Sequence, residues 1–295
     1  MRHWLAFTVI FSIAAAVLDA DVIDRGVQTE SGDTGGVTRE IDINPGPILY
    51  QLLISLTPEK EGARRIRSIS LRGGRTGSAH ASKRGWGTGF LEVTLGDVSL
   101  CAFPCRIEVS PEEARLVFET PQGEAVLRFL AERQREWICC EVKGPPAGAP
   151  ISVRFTAHPG DFLKTVGAGK TERWFATATR HVRQSEKGDP KAAGMVALDT
   201  ERESWIYFYD AKINPVSNAA RANCALLYHP GEVDAVEIGA SPAVIQTTLR
   251  GKPGIPSLHV LLWDFPGEDT EQCLRYMKSL SVTFRPPAAT TERQR

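Results

Sequence analysis

Short apolar runs bounded by turn-forming residues recur along most of the chain, and this rhythm predicts strands rather than helices. Runs at 40–43, 48–56 and 65–71 come first. From residue 90 a meander follows, with runs at 90–95, 98–103, 106–109, 114–119, 125–131, 137–142 and 151–157. Separators such as Ser110-Pro111-Glu112-Glu113 and Lys143-Gly144-Pro145-Pro146 divide them at the roughly 8–12 residue spacing of sandwiches and barrels. The second half continues with 174–182, 195–198, 205–209, 224–228, 233–238, 244–249, 258–265 and 281–284. In the middle stand Trp205-Ile206-Tyr207-Phe208-Tyr209 and Cys224-Ala225-Leu226-Leu227-Tyr228, unbroken apolar runs that suit strands covered on both faces. This much antiparallel strand predicts an all-β protein, a large antiparallel two-sheet β-sandwich, because one open sheet would leave too much apolar surface in water.

One helix is expected near the C-terminus. Asp269 can cap it, and Cys273, Tyr276, Met277 and Leu280 follow the spacing of one buried face. His158-Pro159-Gly160, His229-Pro230-Gly231 and Phe265-Pro266-Gly267 each end an apolar run, and Pro-Gly at such places predicts type II turns. The stretch 72–89 is glycine-rich and carries Arg72, Arg75, Lys83, Arg84 and Trp86. It lacks the spacing and following Lys of a phosphate-binding loop and is expected as a surface loop.

Composition narrows the class. Lys plus Arg and Asp plus Glu both number 35, so no net field favours nucleic acid. The apolar run 5–17, small residues at Ala14-Ala15-Ala16 and acids at Asp19 and Asp21 predict a secretory signal at 1–20, cleaved after Ala16 or Ala20. That run is about 13 residues against the roughly 20 of a spanning helix, so no membrane span is expected in the mature protein. The expected organisation is a flexible leader at 21–39, a single sandwich domain at 40–285 and a disordered tail at 286–295. A secreted or periplasmic location follows from the signal. Six cysteines are present, and Cys101 and Cys105, flanking Pro104, are the one local pair expected to come within bridging range. No Cys-x-x-Cys or His-x-x-x-His pair supports zinc, and no metal or other cofactor is expected.

The run Ala63-Arg64-Arg65-Ile66-Arg67-Ser68-Ile69-Ser70-Leu71, followed by a glycine-rich loop with Trp86 and Gly87 and then the long meander, resembles the galactose mutarotase-like β-supersandwich. That family includes aldose mutarotases and domains of polysaccharide lyases and glycosidases. The resemblance implies a supersandwich with a carbohydrate-related role on its concave sheet. The family's catalytic His stands in an Asn-His-x-Tyr/Phe setting that His158, His181, His229 and His259 do not share, so no catalytic residue is carried over.

Candidate ligand-binding residues gather around the central runs and their connection: Tyr207, Tyr209, Asp210, Lys212, Asn214, Arg221, Tyr228 and His229. Aromatic faces edged by carboxylate, amide and guanidinium groups suit sugar rings. If the two runs are antiparallel neighbours, Tyr209 and Asp210 lie at one end and Tyr228 and His229 at the other. Arg173-Trp174 and Trp263-Asp264 could line the same surface, and His181 shares an alternating polar face with Thr177 and Thr179. The expected function is carbohydrate binding or association with glycan processing. The alternatives are a glycan-active epimerase or lyase, and a cell-envelope structural protein.

Overall fold

The computed structural model describes residues 21–29, 36–46, 48–57, 64–75, 83–87, 89–131, 135–146, 148–159, 172–185, 195–211, 222–240, 244–266 and 269–279. The expected signal, the tail, the 281–284 run and candidates Lys212, Asn214 and Arg221 lie outside the described residues.

The protein is all-β and sandwich-like, with three antiparallel sheets where two were expected. The first is a meander of β1 (Asp21–Thr29), β2 (Val37–Asn44), β3 (Ile48–Leu56), β4 (Ile66–Arg75) and β5 (Lys83–Gly87). A nine-stranded sheet runs β14 (His181–Ser185), β13 (Arg173–Ala176), β16 (Trp205–Asp210), β17 (Ala222–Tyr228), β20 (Ser257–Pro266), β11 (Trp137–Lys143), β10 (Gly123–Ala131), β9 (Glu113–Thr120) and β8 (Cys105–Val109). The six-stranded sheet runs β15 (Val196–Ala197), β18 (Val233–Ala240), β19 (Ile245–Gly251), β12 (Ile151–Ala157), β6 (Leu91–Leu95) and β7 (Val98–Ser99).

The additional sheet arises from segments expected as leader and loop. Residues 21–29 form edge strand β1 rather than part of a flexible leader, with Val22 buried. Cross-strand ion pairs, Arg25 with Asp42 and Arg39 with Asp24, use the polar residues that made this stretch look unstructured. The glycine-rich stretch contributes the end of β4 and all of β5. The expected run 98–103 is a two-residue strand and a 3-10 turn at Leu100–Ala102. All six cysteines are free, so Cys101 and Cys105 are unbridged.

The two faces of the nine-stranded sheet are covered differently. On one face, Phe129 meets Phe90, which meets Phe155 of β12, with ring centroids 6.5 and 6.4 Å apart. Asp264 shares this face and lies against Gly73 of β4, where an added Cβ would fall 2.5 Å from Asp264 Oδ2. Trp263, Phe265 and Tyr207 point to the opposite face, where α1 (Thr270–Ser279) lies. Asp269 caps α1, with its Oδ1 accepting from Gln272 N–H at 2.9 Å. Cys273 and Met277 are buried as the periodicity predicts, but Tyr276 is 43% exposed and stands edge-on to Trp263 at 5.6 Å. At 3.6 residues per turn Tyr276 falls on the flank of the Cys273–Met277 stripe. Leu280 lies outside the described residues.

The Pro-Gly reading holds in part. Glu232 N–H donates to the His229 carbonyl at 3.0 Å, closing the turn. Gly231 does not have positive φ, so the turn is not type II there. Its missing side chain has a different reason: a Cβ would lie 2.7 Å from His229 Cε1. Gly160 and Gly267 lie outside the described residues.

Asp264 is an unusual core residue, a fully buried carboxyl with no side-chain partner among the described residues and only the Gly73 backbone beside it. Its backbone N–H donates to the Tyr50 hydroxyl at 3.1 Å, and that hydroxyl donates to the Glu136 carbonyl. Burial raises the Asp264 carboxyl well above the ordinary range, opposed only by the nearby Gly73 backbone. The folded state therefore keeps a proton that the unfolded chain releases above about pH 3.9. Stability from this group is fully present below that value and is lost as pH rises toward the raised one. Thermal melts from pH 4 to 8 should show Asp264→Asn losing this component of the slope and melting above the native protein at pH 8. Parallel curves would contradict the assignment. Gly73→Ala should cost about 1–3 kcal/mol by overpacking, read from denaturant unfolding. Met277→Asp should destabilise strongly, whereas Arg275→Asp, on the exposed side of α1, should change the melting temperature little.

Candidate functional site

The register of β16 and β17 decides which sequence candidates can meet. Trp205 pairs with Leu227 and Phe208 with Cys224, so the strands are antiparallel neighbours, the arrangement that separates the two ends of the candidate set. Tyr209 and Asp210 end β16 beside the start of β17. Tyr228 lies at the other end, its N–H donating to the Ser204 carbonyl, about 14–17 Å away at the usual rise per residue.

Burial then separates binding groups from structural ones. Tyr228 is fully buried, and its hydroxyl donates to the Glu203 carbonyl. Tyr207 is buried beneath α1, its hydroxyl donating to the Thr270 carbonyl at 3.3 Å. His229 is half-buried over Gly231, at the far end. Asp210 points to the core side, 1% exposed, where its Oδ1 accepts from Glu172 N–H at 3.1 Å. It pairs in register with Arg173, itself buried. Burial lowers the Arg173 guanidinium and the Asp210 charge opposes that shift. Asp210 is thus an anchor for the strand end, not a ligand group.

Tyr209, itself buried at 6% exposure, is the candidate that lies directly beneath surface-reaching side chains. Its neighbours on β13 and β14 are Trp174, in register with both Tyr209 and Arg183, and His181, in register with Ala176. Trp174 and Tyr209 lie nearly parallel, 11° apart with centroids at 6.4 Å, and His181 sits 4.9 Å from the Trp174 ring. His181 Nε2 and the Tyr209 hydroxyl share a hydrogen bond. Trp174 is half-buried and His181 exposed, so the cluster forms an aromatic ledge at the edge of the sheet. Polar groups border it: Trp174 Nε1 donates to Glu172 Oε1 at 3.1 Å, and Arg183 Nε lies 3.3 Å from the same oxygen.

The ledge is uncharged on its aromatic members near neutral pH. Burial, then Lys278 of α1, lowers the His181 imidazole, favouring its neutral form. Burial pushes the Tyr209 hydroxyl up to about 12, and Glu172 and Glu271 add to it. Glu271 and Lys278 therefore place one flank of α1 beside the ledge.

A turn and a buried acid hold the ledge in register. The expected run 174–182 breaks at 177–180, where Thr177 and Thr179 hydroxyls both donate to Glu203 Oε1 and Arg180 Nε lies 3.2 Å from it. Thr177 is therefore buried and not on a polar face with His181. Burial alone would raise the Glu203 carboxyl, but these bonds and the Asp199 N–H outweigh it and keep it low. Sequence reasoning marked Trp174 and His181 but missed Glu172, Arg183 and Glu203, because their roles depend on a hairpin register that no local pattern encodes.

Farther along the same face, charged residues cross five strands. Arg115 meets Glu108 and Glu113, Arg128 joins Glu113 to Glu141, and His259 lies between Glu141 and Glu232, with Nδ1 2.9 Å from Glu232 Oε1. Each is engaged by a neighbour, so this row works as a clasp between strands. No group of three or more metal-binding side chains occurs among the described residues, and none of their helices is long and apolar enough to cross a membrane.

No protein-family model matches the chain, and no curated protein is significantly similar to it. Asp210→Ala should destabilise by about 3–5 kcal/mol through the uncompensated Arg173 charge, measured by denaturant unfolding. A variant as stable as the native protein would place Asp210 outside the anchor role.

Proposed function

We propose that the protein is an exported carbohydrate-binding sandwich of the galactose mutarotase-like kind, and that the ledge of Trp174, His181 and Tyr209 is its sugar-binding surface. The observation that supports this reading is the combination of a solvent-reaching indole stacked on Tyr209, an imidazole hydrogen-bonded to the same tyrosine, and Glu172 and Arg183 at the rim. A sugar ring offers an apolar C–H face to Trp174 and hydroxyls to the carboxylate, guanidinium and imidazole. Glu172 orients the indole, which lowers the ordering cost on binding. The order of strands along the chain is the further support for the family likeness, and the expected signal at 1–20 for export.

A glycan array should return ligands for the mature protein. Trp174→Ala should weaken them at least tenfold, about 1.4 kcal/mol, while changing the melting temperature by no more than a few degrees. Unchanged affinity in a folded Trp174→Ala protein would remove the ledge from the account.

A further inference from the structure

The other flank of α1 carries a second aromatic corner that the ledge does not use. Trp137 and Trp263 are cross-strand partners, edge to face with centroids at 5.0 Å. Both indole Nε1 atoms are buried with no hydrogen-bond partner, and Trp263 is fully buried. A buried donor left unmade costs roughly 1–3 kcal/mol, so two side by side require a reason. Above them, Tyr276 of α1 stands edge-on to Trp263 and is 43% exposed, and the exposed Arg135 guanidinium lies 5.1 Å from the Trp137 ring centroid. Glu136 also faces Tyr276, whose hydroxyl is raised by burial and then by that carboxylate. Among the described residues, one cation and one carboxylate border the corner, and their charges offset one another.

We propose that this corner between Arg135–Glu136 and α1 is a second sugar subsite, taking a neutral ring whose hydroxyl oxygens accept from the Trp137 and Trp263 indoles. This rests on the carbohydrate reading of the first ledge. Two missing acceptors call for an oxygen-rich ligand, the mixed-charge border disfavours a strongly charged one, and the exposed Tyr276 ring supplies a face for C–H surface. Tyr276 is the exposed cover that turns outward to admit the ring. The ledge and the corner lie on opposite flanks of one helix, and Trp174 of β13 and Trp137 of β11 stand four strands apart, on the order of 20 Å at the usual strand spacing. An oligosaccharide that spans α1 occupies both and gains by effective concentration.

Indole N–H resonances of the 15N-labelled mature protein report each site directly. The probes are galactose, glucose and N-acetylglucosamine, each as the monosaccharide and as a linear hexamer, with resonances assigned through Trp137→Phe, Trp263→Phe and Trp174→Phe. The expected result is that a hexamer shifts the Trp137, Trp263 and Trp174 signals together and binds at least tenfold tighter than its monosaccharide. Tyr276→Ala should change the Trp137 and Trp263 responses and leave that of Trp174. Should Trp263→Phe fail to fold, Trp137→Phe alone should reduce the hexamer's advantage. If only the Trp174 signal moves, the second subsite is wrong and the first ledge stands. If none moves with any probe, both readings are overturned.

Discussion

The middle of the nine-stranded sheet is apolar on both faces, and the molecule must cover both. Every residue of β16 is buried, and from Asn223 to Tyr228 so is β17. With about 25 cal/mol for each Å² of apolar surface withheld from water, a one-sided sandwich would leave a large part of that gain unrealised. The two smaller sheets cover one face through Phe90, Phe155 and Gly73. Helix α1 lies over the other through Cys273, Met277 and Tyr276. The aromatic character that burial demands of β16 continues into β13 and β14, where rings reach solvent. In this account the candidate binding surface is the edge of a core face.

Buried polar groups set the geometry of that edge. Glu203 gathers the Thr177 and Thr179 hydroxyls and the Asp199 N–H, which fixes the turn that returns β14 beside β13. Asp210 holds the opposite end of the same strand pair through Glu172 N–H. Between these anchors, Trp174 and His181 have little freedom to leave Tyr209. Asp264 shows the contrasting case: a carboxyl with no side-chain partner, retained where Gly73 gives the backbone room to approach. It stabilises best as the uncharged acid.

Much of this was legible from periodicity. The strand at Ile151–Ala157 was readable to the residue, and the central pair and the Asp269-capped helix to within a few, because alternation and capping are local signals. The third sheet was not legible. β1 is stabilised by ion pairs across the hairpin to β2, 15 and 17 residues apart, and β4 extends through glycines that look like loop until Asp264 is placed against Gly73. The site was half legible for the same reason. Tyr209 was marked by its strand, but Asp210 and Tyr228 look like ligand groups until their core partners are known. Glu172 and Arg183 meet only across a hairpin whose register the 177–180 turn fixes.

We propose that sugar binds where the aromatic face leaves its cover. Hydrogen–deuterium exchange of the mature protein, with and without the tightest ligand from a glycan array, tests this most directly. Added protection is expected at 172–176 and 181–183 and along α1, with the six-stranded sheet unchanged. Protection concentrated on the six-stranded sheet or on the row around His259, with the edge of β13 and β14 unaltered, would contradict it.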